Sequence, residues 1–306
     1  MIAFVFPGQG SQYSGMGKEL TDNFPVAAQV FEEANDALGF DLAGLCFSGS
    51  EDDLKLTTNT QPAILTTSVA ALRVLEQELG LTPSYAAGHS LGEFSALVAA
   101  GALRFADAVK IVRQRGAFMQ DAVPVGIGAM AAIMGIDAAE LDALCAQAAD
   151  GEIVAPANYN SPGQIVIAGH ATAVERAIAL AKERGAKRAL PLPVSAPFHS
   201  ALMAPAAERL SEVLAPISVG EMTCPVVSNV EAAPYQDAGR VKDLLVKQVC
   251  AAVRWEESIA AMRELKVERY IEIGPGKVLS GLIKRIDKAA TIQNIEDIKS
   301  LDKLKN

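Results

Sequence analysis

The sequence predicts an α/β fold: a large domain on a mostly parallel sheet, interrupted by a small inserted α+β domain. Three observations carry this. Strand-like and helix-like patterns alternate through the first 120 residues, as they do when helices pack on a parallel sheet. Between residues 125 and 194 the order changes to β-α-β-β-α-β. The alternation then resumes. The expected division is a large domain of residues 1–124 and 195–306, with a small ferredoxin-like domain, 125–194, set into it.

The elements follow in order. Ile2–Phe6 is an apolar strand running into the glycine-rich turn "PGQGSQ". "FPVAAQVFEEANDALG" places apolar residues at 24, 27, 28, 31, 34 and 38, a helical stripe stopped by Gly39. "QPAILTTSVAALRVLEQELG" reads as a long helix ended by Gly80 and Pro83. "SYAAG" is a short buried strand, and "LGEFSALVAAG" and "FADAVKIVRQRGAFMQDAV" are helices. In the insert, "IGAMAAIMGI" is a strand and "AAELDALCAQAA" a helix. "EIVAPANYNSPGQIVIAG" is two strands joined by a turn, "ATAVERAIALAKERG" a helix and "KRALPLPV" the last strand. After it come the helix "SALMAPAAERLSEVLAP", the strand "CPVVSNV", the helices "DLLVKQVCAAV" and "WEESIAAMRELK", and the strand "ERYIEIGPG".

Composition narrows the function. The chain has 306 residues, 50% of them hydrophobic and 21% charged, as expected of a globular protein. No apolar run approaches the ~18 residues that span a bilayer. The N-terminal run lacks a basic segment and a cleavage site, so no signal peptide is expected, and the location expected by default is cytoplasmic. A net charge of −9 argues against nucleic acid as partner. An acidic ligand would need a local basic patch, for which Lys187-Arg188 and Lys284-Arg285 are candidates. The four cysteines are scattered without a CxxC pair, and the three histidines do not cluster with acids or cysteines. Neither disulfide nor metal site is expected.

The sharpest chemical signal is Gly88-His89-Ser90-Leu91-Gly92, a G-x-S-x-G turn with a strand before it and a helix after it. Such a turn strains the serine and lifts its Oγ to the carboxyl end of the strand, making Ser90 a candidate nucleophile and the large domain α/β-hydrolase-like. A serine hydroxyl needs a base. His89 adjoins Ser90 and should diverge from it, and His170 is expected on a surface loop. His199, in "SAPFHSALM", opens a helix, where the helix dipole favours the neutral imidazole that a base requires. No acid stands out as a third triad member, so a carbonyl is left to orient the imidazole, giving a Ser-His dyad.

An oxyanion hole would use the Leu91 N–H and a second N–H from another strand-to-helix loop. "PGQGSQ" is such a loop. It lacks the third glycine of G-x-G-x-x-G and any Gly-Lys-Ser/Thr, which weakens a nucleotide-binding reading. Arg115, taken alone, reads as a solvated helical arginine.

Seven motifs occur together: "FPGQGSQ", "TQPA", "GHSLGEFSALVAAG", "RGAFMQ", "NYNSPGQIVIAG", "PVSAPFHSALM" and "IEIGPGKVL". In this order they resemble the malonyl-CoA:acyl carrier protein transacylases of bacterial type II fatty acid synthesis, from residue 3 to about residue 285. The resemblance implies Ser90 as nucleophile, His199 as base, and the Gln9 and Leu91 N–H groups as oxyanion hole. It implies Arg115 as the cation that holds a malonyl carboxylate, which reverses the solvated reading, and the Gln248 carbonyl as the group that orients His199. Gln61 and Asn160 would line or support the pocket. Phe198 before the histidine implies an unbranched malonyl substrate. One departure lies after Gln248, where many relatives carry a proline and this chain has Ala251-Ala252.

The implied reaction is ping-pong transfer of malonyl from malonyl-CoA to the phosphopantetheine thiol of acyl carrier protein, by a monomer without metal or redox cofactor. A serine esterase or thioesterase is the alternative that the elbow alone leaves open. Against it stand the missing triad acid, the insert, and Arg115, which has no purpose toward neutral esters.

Overall fold

The computed structural model describes residues 1–194 and 196–305. The expected junction between insert and large domain, and the end of the chain, fall at Ser195 and Asn306, which lie outside the described residues. The chain begins with strand β1 (Ile2–Phe6), followed by helices α1 (Lys18–Asn23), α2 (Pro25–Leu38), α3 (Leu42–Ser48), α4 (Glu51–Lys55) and α5 (Thr57–Leu79). Then come β2 (Tyr85–Gly88), α6 (Gly92–Ala99) and α7 (Phe105–Asp121). The middle is β3 (Gly128–Met134), α8 (Ala138–Ala149), β4 (Val154–Ser161), β5 (Gln164–His170), α9 (Ala171–Glu183) and β6 (Arg188–Pro191). The rest is α10 (Ala204–Leu214), β7 (Val226–Val227), β8 (Pro234–Tyr235), α11 (Val241–Cys250), α12 (Trp255–Glu264), β9 (Arg269–Ile273), α13 (Val278–Ile286), β10 (Thr291–Ile295) and α14 (Ile298–Lys305).

Two sheets result. The larger runs β10-β9-β1-β2-β7-β8, parallel except for the antiparallel edge strand β8. Its strands alternate faces, as a period of two requires. Phe4, Phe6, Ala86, Val226 and Ile271 enter one core with α2, α5, α6 and α7. Ala3, Val5, Ala87, Val227 and Tyr270 enter another with α12 and α13.

The smaller sheet is antiparallel, in the order β4-β5-β3-β6. On one face Ala131, Ile133, Ile165 and Ile167 pack under α8 and α9. On the other, Met130, Val166 and Ala168 join the main core. Backbone bonds also tie the smaller sheet to the segment between α11 and α12: Val253 N–H donates to Ala157 O, and Tyr159 N–H to Val253 O.

The structure departs from the sequence expectation at several points, with α1, α3, α4 and β8 forming where no element is expected. Helix α5 begins at Thr57, so Pro62 lies inside it. Its opening turn is tied by Asn59 and Thr60 N–H bonds to Leu56 O and by the Thr60 hydroxyl to Leu54 O, which lets the helix start ahead of the proline. The last thirty residues, in which no element is expected, form α13, β10 and α14. Strand β10 adds a fifth parallel strand beside β9. Among the described residues, no helix is long and apolar enough to cross a membrane. None of the four cysteines is in a disulfide.

Candidate active site

Strands β1 and β2 are parallel neighbours with Phe6 opposite Gly88, so the turns that leave them emerge side by side. A Cβ on Gly92 would collide with the Phe6 carbonyl, and one on Gly8 with the His89 carbonyl. Only glycine lets the first loop sit directly on the elbow. Ser90 takes φ 51°, a left-handed conformation costly for a non-glycine residue. Asn229, just beyond β7, accepts from Ser90 N–H at 2.7 Å and donates to Gly88 O. The elbow's N–H bonds come from His89, Ser90, Gly92, Glu93 and Phe94, passing over Leu91. In the first loop they come from Gly10 and Ser11, passing over Gln9.

Ser90 Oγ lies 2.7 Å from His199 Nε2. On the other side of the ring, Nδ1 lies 2.8 Å from Gln248 O and 3.2 Å from Ala251 O. A carbonyl oxygen only accepts, so Nδ1 carries the proton and Nε2 turns its lone pair toward the serine. The segment without proline still holds the imidazole, because Val253 pairs with β4 and fixes the chain just beyond Ala251. The cause of neutrality differs from the expected helix dipole. Only a three-residue turn, Ala201–Met203, follows His199 before α10. Burial, and next the Arg115 charge, push its pKa down to about 3.

Arg115 is 1% exposed, not solvated. It falls on the buried stripe of α7 with Ala108, Ile111, Val112 and Met119. Neighbouring Gly116 lets α7 close on the Thr57 backbone, since a Cβ there would meet Thr57 O at 2.6 Å. Its guanidinium donates to Gln61 Oε1 at 2.8 Å, Gln248 Oε1 at 2.8 Å and Ser90 Oγ at 3.2 Å. Burial lowers its pKa to about 10, so it stays charged at neutral pH. Its buried Nε has no partner among the described residues.

A cavity of about 130 Å³ opens over this group. Gln9, Gln61, His89, Ser90, Arg115, Asn158 and His199 supply its polar surface, and Leu91, Met119, Met130, Leu192, Val194 and Phe198 its apolar wall. Asn160 stands behind it: its Oδ1 lies 2.8 Å from His89 Nε2 and holds that ring away from Ser90. His170 ends β5 half-buried, where its Nδ1 accepts from Ile153 N–H, rather than lying on a loop. No cluster among the described residues could hold a metal ion.

Three site residues are absent from the sequence expectation: Glu93, Asn229 and Asn158. Glu93 was legible as the one charge in the apolar run of α6, all buried through Val98. Asn229 and Asn158 carry no comparable signal, because their roles come from strands distant in sequence.

With His199 neutral throughout the working range, a neutral serine-directed phosphonate should react with Ser90 at the same rate from pH 8 down to pH 5. A base with an ordinary histidine pKa of 6.5 would lose most of that rate below pH 6. A fall centred near 6.5 in the rate profile would contradict the buried, neutral imidazole.

The acyl transferase domain family matches residues 3–306, beyond the point near residue 285 where the sequence motifs stop. The malonyl CoA-acyl carrier protein transacylase of Escherichia coli strain K12 is 52% identical over 296 residues, 97% of this chain and 96% of its own length. The acyl carrier protein S-malonyltransferase of Vibrio cholerae superposes with a TM-score of 0.97 at 51% identity, covering 99% of both chains. A malonyl-transacylase solved in complex with a type II PKS acyl-carrier protein superposes with a TM-score of 0.96 at 50% identity, over 98% of this chain and 97% of that one. Since the likeness runs from the first strand to the last helix, the chain belongs to the acyl transferase domain family, among the malonyl-CoA–acyl carrier protein transacylases.

Proposed function

We propose that this chain transfers malonyl from malonyl-CoA to the phosphopantetheine thiol of acyl carrier protein, supplying extender units for fatty acid synthesis. The observation that carries the reading is the buried Arg115 guanidinium 3.2 Å from Ser90 Oγ. A buried cation beside the nucleophile suits an acyl group that bears its own carboxylate, and a guanidinium fork meets that carboxylate with two parallel hydrogen bonds.

The steps follow from the atoms present. Ser90 Oγ attacks the thioester carbonyl while His199 Nε2 takes its proton. The Gln9 and Leu91 N–H groups receive the oxyanion. The C–S bond breaks, His199 returns the proton to the departing CoA sulfur, and a malonyl-Ser90 ester remains. The carrier thiol then gives its proton to His199 and attacks the ester carbonyl; the C–Oγ bond breaks, His199 returns the proton to Ser90 Oγ, and malonyl leaves as a thioester of the carrier. Neither half-reaction changes an oxidation state, so neither calls for a redox cofactor, and the protein groups named supply every proton transfer. Every group in both comes from one chain, which we read as a cytoplasmic monomer. Gln61 and Gln248 hold the guanidinium, Asn160 holds His89, and Phe198 forms the wall against branched acyl groups.

A groove of about 510 Å³ shares Gln9, Leu192 and Val194 with the site and runs out past Leu56 and Lys55. It gives a slender pantetheine arm a route in. We further read the βαββαβ unit as a ferredoxin-like insertion in an α/β-hydrolase-like body, on the strand order β4-β5-β3-β6.

Intact mass spectrometry tests the reading. Malonyl-CoA should leave one malonyl adduct on Ser90, discharged by phosphopantetheinylated acyl carrier protein and stable without it. Rapid loss to water without the carrier would make the protein a thioesterase instead.

A further inference from the structure

The molecule holds a second buried charge close to the nucleophile. Glu93 is wholly buried in the first turn of α6. Its Oε2 takes both of its hydrogen bonds, from Gln248 Nε2 at 2.7 Å and from Asn229 N–H at 3.1 Å. Its Oε1 is buried with no partner among the described residues. The same Gln248 amide accepts from Arg115 through Oε1, so one side chain links the carboxylate to the guanidinium. We propose that Glu93 is a positioning residue that acts through Arg115: it takes up a proton when a substrate carboxylate enters, and so sets the selectivity for carboxylate-bearing acyl groups. This rests on the reading that Arg115 receives the malonyl carboxylate.

Charge balance gives the reason. With Glu93 ionised, Arg115 and Glu93 together are neutral, and a substrate carboxylate would leave the buried site with a net negative charge. A proton on Glu93 restores neutrality, and burial makes the difference large. The unpartnered Oε1 can carry that proton without loss of either existing hydrogen bond. Burial already pushes the Glu93 carboxyl up to about 7, against the opposing pull of Gln248, Asn229 and Arg115, so the uptake falls in the working range. The other groups acting on it are Glu231, from the turn between β7 and β8, and Tyr235 on β8. Burial pushes the nearby imidazoles of His89 and His199 down, away from their charged forms.

The test compares kcat/KM for Ser90 acylation by malonyl-CoA and acetyl-CoA between pH 6 and 8. The ratio cancels every step that the two substrates share, including the base. In the native protein the malonyl preference should fall about fivefold or more across this range, because ligand and proton favour each other. In Glu93→Gln, which keeps an acceptor at Oε2, the ratio should be flat and higher at pH 8. A flat ratio in the native protein, or the same slope in Glu93→Gln, overturns the proposal. Should Glu93→Gln fail to fold, calorimetry of Ser90→Ala in buffers of different ionisation enthalpy decides the matter. Malonyl-CoA should then take up more protons near pH 7 than acetyl-CoA, and equal counts overturn it. Arg115→Ala separates the two readings. If it keeps the malonyl preference, the carboxylate site itself is wrong. If it loses the preference while the native ratio is flat, only the role of Glu93 is wrong.

Discussion

Ser90→Ala should leave no acyl adduct after incubation with malonyl-CoA, and should lower the transfer rate by about 10⁴-fold or more. The size follows from what remains. On the proposed mechanism the Gln9 and Leu91 N–H groups, Arg115 and the cavity would still bind the thioester, but no oxygen is left at 2.7 Å from His199 Nε2 to form the ester. The nearest alternative hydroxyl in sequence to the base, Ser200, is turned away and bonded to Pro197 O at 2.7 Å. Folding should survive. Alanine carries the same backbone strain as serine at φ 51°, and the Asn229 bond to the Ser90 N–H does not depend on the side chain. Thermal unfolding should therefore move by no more than about 1 kcal/mol, within the ordinary range of point substitutions. An undiminished adduct in this variant would place the nucleophile elsewhere.

Arg115→Ala should cost malonyl-CoA about 10²–10⁴ in kcat/KM and leave acetyl-CoA little changed, so that the preference between them collapses. Each charge-assisted hydrogen bond to a substrate carboxylate contributes about 1.5–3 kcal/mol, and the guanidinium fork can make two. Arg115→Lys keeps the charge but loses the fork, and should fall between. Truncation also has a structural cost. It orphans Gln61 Oε1 and the Gln248 Oε1, and removes the cation that faces Glu93. Loss of one member of such a buried charged network typically costs about 3–5 kcal/mol. The measurement is therefore the ratio of the two substrates in correctly folded protein, to which stability contributes equally. An unchanged ratio would remove Arg115 from carboxylate recognition.

Much of this was legible in the residues. Local pattern places the first strand, the elbow strand, the helices α2, α8 and α9 and the two strands of the insert hairpin close to their observed bounds, because each is set by its own apolar period and its glycine stops. The elbow is legible because its G-x-S-x-G pattern is local: a Cβ on Gly88 would meet the Gly92 backbone, although Gly92 itself is required by the Phe6 carbonyl of a distant strand. Arg115 is the counterexample: taken alone it reads as a solvated helical arginine, and only the packing of α7 shows it buried beside Ala108, Ile111, Val112 and Met119.

The sequence by itself determined the elements with a clear apolar period of their own, though not α1, α3, α4, β8, α13, β10 or α14, together with the strained serine and the family motifs, since these depend on neighbours a few residues apart. Only the tertiary structure decided how the site is held and charged. The Gln248 and Ala251 carbonyls that fix the His199 tautomer, the Asn229 amide behind the elbow and the Gln248 link between Glu93 and Arg115 all join residues tens to more than a hundred positions apart. The neutrality of His199 and the proton affinity of Glu93 follow from burial, a property of the packed interior that no single segment of the sequence carries.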